Sequence, residues 1–202
     1  MFQQVVSLGP NCRSKFHIEK LLGPYVTRGG VFDWQRTPSA AVIEYLRRDF
    51  QGVFERRDLI IVDGQVRNCR FGTSHKHAFP GELVESQLEQ LYPSARQKHD
   101  YCCRVTRSAL ENGYSTVFVL CAPVVPEHLG EIAELVKWRR PERRFVILQA
   151  PEGDHDDDWD GDHEIWARHL SGFTFTPPLR VMAKFHRRRL LKKLRDLKLG
   201  KR

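Results

Sequence analysis

The sequence predicts an α/β fold with three layers, in which a mainly parallel sheet carries helices on both faces. Residues 115–122 and 144–149 form continuous apolar runs, which are typical of strands buried on both faces. A helical pattern over 127–138 separates them, and a strand, a helix and a second strand with short connections make a parallel βαβ unit. A short buried strand at the start of the chain completes the predicted sheet.

The elements before the βαβ unit follow from residue spacing and turn residues. The apolar spacing after the first strand predicts a helix that ends at Gly23 and Pro24. The remaining predictions are an irregular segment over 24–36, a helix from Thr37 to about Phe50, and a hairpin whose strands, 59–62 and 65–69, flank an Asp63-Gly64 turn. A long helical segment over 81–112 follows, which Tyr92-Pro93 could interrupt.

After the sheet, residues 164–170 are expected to form a short helix or strand, and a basic helix is expected from about residue 180. The 202 residues contain 41% hydrophobic and 29% charged residues, enough for one packed core. We therefore predict a single globular α/β domain over 1–179 and a basic amphipathic helix or tail over 180–202. No apolar run has the length of a membrane span and no secretion signal is recognised, so the expected compartment is the cytoplasm.

The five cysteines are predicted to be reduced thiols. Their number is odd, and no CxxC pair or zinc-type spacing occurs among Cys12, Cys69, Cys102, Cys103 and Cys121. Cys121 ends an apolar run and is expected in the core, whereas Cys12 alone is placed for chemistry. No cofactor and no metal site are predicted.

The positive charge is concentrated at the carboxyl end. Residues 180–202 contain eleven Lys and Arg and one Asp, a net of +10, which leaves 22 basic and 24 acidic residues, a net of −2, in residues 1–179. A nearly neutral domain with a basic tail argues against nucleic acid as the partner. It favours a terminal segment that binds other molecules through its positive charge.

The opening turn, Ser7-Leu8-Gly9-Pro10-Asn11-Cys12, is the first candidate site. A cysteine in the first turn of a helix lies near the positive end of the helix dipole, which favours the thiolate. The simpler alternative is a small residue that packs the turn. Oxyanion or ligand-binding roles are predicted for Ser7, Gly9, Asn11, Arg13 and Arg28.

A cysteine nucleophile needs a base, and His75 and His77 lie in a loop-like segment where site residues often occur. The pair could also bind a metal, but no third ligand accompanies it. Exposed loop histidines without a role are the alternative.

Five motifs follow one another along the chain: Ser7-Leu8-Gly9-Pro10-Asn11-Cys12, Phe32-Asp33-Trp34, His77-Ala78-Phe79-Pro80, a basic helix with Lys98, Arg104 and Arg107, and Trp159-Asp160-Gly161-Asp162 with Trp166. Together they resemble an uncharacterised bacterial domain family of predicted papain-like cysteine peptidases. The resemblance covers about residues 4–170. Val31 and Ala78 stand where the family tends to have Pro and Asp.

The resemblance implies Cys12 as the nucleophile, His77 as the base and Asp33 as the residue that orients the histidine. For Asp33 the alternative is a buried carboxylate that holds the aromatic loop, and Trp34 is expected to be a packing residue. A papain-like fold, however, differs from the doubly wound pattern predicted above. The same turn is also typical of a phosphate or sugar-nucleotide site in a parallel sheet.

Residues 152–164 form an acidic loop that copies the first half of an EF-hand with Asp156, Asp158 and Asp160. Ala167 stands where the bidentate Glu belongs, so a solvated loop is expected.

The tail places Leu190, Leu191, Leu194 and Leu197 on one side of a basic helix. This pattern suits an anionic membrane surface or an acidic partner, or a helix that docks its leucines on the domain. RNA is disfavoured because no aromatic residue follows Phe185.

Three functions therefore follow from the sequence: a Cys/His-dependent hydrolase or acyl-transfer enzyme, a phosphate- or sugar-nucleotide-binding protein or glycan-assembly transferase, and a non-catalytic adaptor recruited through the tail.

Overall fold

The computed structural model describes residues 1–79, 81–154 and 160–199 of the chain. The expectations for Asp156, Asp158, Trp159 and Pro80 therefore lie outside the described residues. The helices and strands are β1 (Gln4–Ser7), α1 (Arg13–Leu22), α2 (Ser39–Arg47), β2 (Leu59–Val62), β3 (Gln65–Asn68), α3 (Glu85–Glu111), β4 (Thr116–Val119), α4 (Pro126–Arg139), β5 (Phe145–Leu148), α5 (His163–Ser171) and α6 (Leu179–Leu199).

The main sheet is parallel and has the order β1-β4-β5, with Val5 opposite Val117 and Val117 opposite Val146. The apolar runs that predicted β4 and β5 thus form neighbouring strands of one βαβ unit. A short antiparallel hairpin, β2 and β3, stands apart from this sheet. The predicted α/β fold class, with its parallel sheet, its hairpin and its basic terminal helix, is confirmed.

Alternate side chains of each strand enter different cores, as the strand period requires. Val6 and Phe118 pack with residues of α2, α3 and α4 on one face of the sheet. Val5 and Val117 pack on the other face with Ile18 of α1 and residues of α5. Burial on both faces explains why these strands lack polar alternation.

The hairpin packs against the first half of α3 in a smaller core that includes Phe54, Phe79 and Leu88. The expected interruption of this helix is wrong, because α3 runs continuously through Pro93. Pro93 and Glu89 lie on the exposed side of α3, where the carbonyl oxygen that loses its helical partner can accept a hydrogen bond from water.

One further prediction is settled by the helices. Residues 163–171 form a helix, α5, which resolves the helix-or-strand alternative. Within the described ranges, none of the helices combines the length and the apolar character needed to cross a membrane.

Candidate functional site

The turn between β1 and α1 lies where the parallel strands end. Gly9 has a φ of 85°, a backbone conformation that glycine adopts without strain. The backbone N–H of Cys121 donates to Gly9 O at 2.7 Å, and the N–H of Thr37 donates to Pro10 O at 2.7 Å. The exit of β4 and the start of α2 therefore hold the turn from two sides.

A cleft of about 660 Å³ opens beside this turn. We call it the turn cleft. It is lined by Pro10, Asn11 and Arg13 from the turn, by residues 36–39 and Val42 from the α2 segment, and by Leu120 and residues 122–124 after β4. This volume falls within the range of small-molecule and cofactor sites.

Polar groups lie on one side of the turn cleft. Arg36 is exposed, and its guanidinium makes no ion pair within the described part of the chain. Ser39 Oγ lies 2.8 Å from His128 Nδ1, which joins the start of α2 to α4. The helices α2 and α4 begin at Ser39 and Pro126 without a side-chain cap, so the N–H groups of their first turns are not occupied by capping side chains.

Arg13 belongs to the interior. Its Nη1 lies 3.1 Å from Asp154 Oδ2, and the two side chains are only 2% and 0% exposed. The same carboxylate accepts hydrogen bonds from Trp166 Nε1 at 2.9 Å and from the backbone N–H of Asp162 at 3.1 Å. Arg13 therefore joins α1 to the loop before α5, while part of its surface still borders the turn cleft.

Asn11 also stabilises the turn. Its Oδ1 accepts the backbone N–H of Arg13 at 2.9 Å, and Cys121 Sγ lies 3.0 Å from the same oxygen. Burial raises the pKa of the Cys121 thiol, so this sulfur remains a neutral donor. The expectation that Cys121 belongs to the core is confirmed, since it is 1% exposed.

The structure does not join Cys12 and His77. Cys12 is partly exposed at the position just before α1, and within the described residues no hydrogen bond links its sulfur to a histidine. His77 is exposed and packs edge-on against the indole of Trp34, with 5.9 Å between ring centroids.

Trp34 is 43% exposed, and Lys98 Nζ lies 5.3 Å from the centroid of its ring. The packing expected of Trp34 is therefore packing at the surface and not in the interior. The indole instead forms an outer surface between His77 and Lys98.

Asp33 is buried beneath the opening turn. Its Oδ2 accepts the backbone N–H of Gly30 at 2.7 Å, whereas Oδ1 has no partner among the described residues. Burial raises the pKa of this carboxyl to about 6, and the neighbouring Lys15 opposes that shift. No hydrogen bond or ion pair joins Asp33 to His77 in the part of the chain that the structure describes.

The other predicted ligand residues divide between separate locations. Ser7 Oγ pairs with Ser14 Oγ at 2.6 Å and accepts the N–H of Gly9 at 3.3 Å, so it is an internal brace. Arg28 lines a second cavity of about 410 Å³, together with Lys15 and residues of α6. Only Asn11 and Arg13 of the predicted set line the turn cleft.

Two residues that line the turn cleft, Arg36 and Ser39, were not predicted as site residues. They flank the predicted start of α2, and this position at a helix start is the sequence signal that could have identified them. The proximity of Lys15 to Asp33 is a tertiary contact that the sequence does not show. Within the described ranges, no group of three His, Cys, Asp or Glu side chains could hold a metal ion.

The chain matches no protein-family model, and comparison with curated proteins and with solved structures also gives no match. The resemblance to papain-like peptidases therefore remains a prediction based on the motifs.

The raised pKa of Asp33 predicts a pH-dependent stability. The ordinary pKa of this carboxyl is 3.8, and in the folded protein it is about 6. The folded state holds the proton more tightly, so the free energy of unfolding falls by about 3 kcal/mol as pH rises through this window. Asp33→Asn removes the titrating group and should remove this loss. Urea unfolding at about pH 4 and about pH 7.5 measures the difference between wild type and variant.

The matched control is Asp63→Asn, because the side chain of Asp63 is 87% exposed. The difference in free energy of unfolding between Asp63→Asn and wild type should be the same at both pH values. If the difference in free energy of unfolding between Asp33→Asn and wild type were also the same at both pH values, it would contradict the burial of an ionisable carboxyl beneath the turn.

Proposed function

We propose that this protein binds a phosphorylated small molecule, such as a nucleotide or a sugar nucleotide, in the turn cleft. The observation that carries the proposal is a cleft of about 660 Å³ at the carboxyl ends of β1 and β4, bordered by the guanidinium of Arg36, which makes no ion pair with the residues that the structure describes. Guanidinium groups bind phosphate oxygens through paired, charge-assisted hydrogen bonds. Arg36 is therefore the proposed anion-binding residue.

The position of the cleft supports this function. In open parallel sheets, ligands bind in the crevice outside the carboxyl ends of the strands. The start of α2 lines the cleft, and α4 begins two residues beyond Val124. Free backbone N–H groups at such helix starts add hydrogen-bond donors and positive potential to the contribution of Arg36.

The lining also suits a ligand with two chemical parts. Pro38, Pro123 and Val124 are accessible and provide apolar surface on which a base or a sugar ring can pack. Ser39 provides a partly accessible hydroxyl for hydrogen bonds to ligand hydroxyl or phosphate oxygens. A group transfer that uses such a ligand, as in glycan assembly, would take place at this edge of the sheet.

Replacement of Arg36 tests the binding function. Arg36→Ala should weaken binding of pyrophosphate or of a uridine diphosphate sugar by at least about tenfold, because it removes a charge-assisted contact. Isothermal titration calorimetry measures the dissociation constant. Arg57→Ala, which removes an exposed arginine outside the cleft, is the matched control and should bind as wild type does.

Cys12→Ser should leave binding of the same ligands intact, because the thiol is not required to hold a phosphate. Binding that is unchanged by Arg36→Ala, or equally weakened by Arg57→Ala, would contradict a specific anion site in the turn cleft.

A second candidate function, hydrolysis or acyl transfer by Cys12, is favoured by the environments of the thiols. Cys102, Cys103 and Cys121 are buried, and burial raises the pKa of each. Cys12, by contrast, is partly accessible at the position just before α1. In this proposal His77 acts as base only after its loop moves toward Cys12, and Asp33 orients it.

Alkylation tests the reactivity of Cys12. Iodoacetamide near neutral pH should label Cys12 faster than the other four thiols, and peptide mass spectrometry measures each rate. Cys69 is the internal control because it is exposed and lies outside helices. Labelling of Cys12 that is equal to or slower than that of Cys69 would exclude an activated nucleophile.

A further inference from the structure

The terminal helix α6 docks on the domain through its first two turns. Val181 and Phe185, one turn apart, are partly buried, and the ring of Phe185 lies 6.2 Å from that of Tyr25. Arg180 Nε donates to Tyr114 Oη at 2.6 Å. These contacts define the docked side of α6.

Two exposed leucines of α6, Leu179 and Leu190, lie on the side opposite to Val181, and Leu191, ten residues after Val181, lies about 80° from it on the flank of the helix. Leu179, Leu190 and Leu191 are 83%, 58% and 54% exposed. A helix turns by about 100° per residue, so Leu190, nine residues after Val181, lies about 180° around the helix from it. Leu179 precedes Val181 by two residues and lies about 160° from it by the same rule. The alternative in which the leucines dock on the domain is therefore wrong for Leu190 and Leu191, whereas the predictions for Leu194 and Leu197 lie outside the described side chains.

Basic side chains surround this outward apolar stripe. Lys184, Arg187 and Arg189 are exposed among the described side chains of α6. Residues 180–202 have a net charge of +10, whereas residues 1–179 have a net charge of −2. An apolar stripe with flanking Lys and Arg is the pattern of a helix that lies in a membrane interface.

We propose that α6 binds the surface of an anionic membrane, with Leu179, Leu190 and Leu191 in the boundary between headgroups and acyl chains. The basic residues contact anionic headgroups. Because the docked side faces the domain, the domain then lies on the water side of the helix. This interaction is separate from the turn cleft, whose lining includes no residue of α6.

The apolar stripe favours a membrane over the other anionic partners. An RNA or an acidic peptide would be attracted by the charge alone, but neither requires two exposed leucines beside each other. Base stacking would require aromatic side chains, and none follows Phe185. A membrane interface uses both the charge and the apolar stripe.

Vesicle co-sedimentation of the full chain tests the proposal. Wild type should bind vesicles of phosphatidylcholine mixed with phosphatidylserine at least about tenfold more strongly than vesicles of phosphatidylcholine alone. L190S/L191S should weaken binding to the mixed vesicles by about tenfold or more, because two apolar side chains leave the interface. Circular dichroism checks that the variant retains its helical content.

The matched control is V84S/L91S, which removes two exposed apolar side chains from the start of α3 and should bind as wild type does. Binding that L190S/L191S leaves unchanged would overturn the proposal and indicate attraction by charge alone. The proposal would also be overturned if the protein binds an RNA of about 20 nucleotides but binds neither kind of vesicle. A failure of either kind leaves ligand binding in the turn cleft unaffected.

Discussion

The buried ion pair between Arg13 and Asp154 is the interaction on which the arrangement of the site depends. It joins the first turn of α1 to the loop before α5, and the same carboxylate accepts the Trp166 indole N–H. Removing one partner of such a pair leaves a charge in the interior and typically costs about 3–5 kcal/mol. Because α1 is fixed in this way, the preceding turn holds one wall of the turn cleft in place.

Much of the fold could be predicted from local patterns. β4 and β5 are apolar because both faces of the sheet are covered, and the Asp63-Gly64 turn marks the hairpin directly. Pro93 gave a misleading signal because a proline on the exposed side of a helix can leave its unpaired carbonyl to water. The docked side of α6 could not be predicted, because Val181 and Phe185 are only two apolar residues and the leucines give the stronger apolar pattern.

The location of the site could be predicted from the sequence, but only some of the residues that form it could. The turn from Ser7 to Cys12 does border a cleft, because a strand-to-helix connection in a parallel sheet opens at the carboxyl edge. The sequence does not show in which direction each side chain points, however, and this direction decides the role of each candidate site residue. Arg13 is internal, His77 packs on Trp34, and Arg36 is an exposed cation at the cleft without an ion-pair partner among the described residues. The two proposed interactions therefore use different surfaces: the turn cleft for a phosphorylated ligand and α6 for an anionic membrane.

An NMR titration of the ¹⁵N-labelled protein with pyrophosphate tests most directly whether the opening turn borders a binding site for a phosphorylated ligand. We expect saturable shifts of the backbone amides of Asn11, Ser39 and Val124, one residue from each of the three segments that line the turn cleft. Shifts confined to Trp34 and His77, or none that saturate, would contradict a site at this turn.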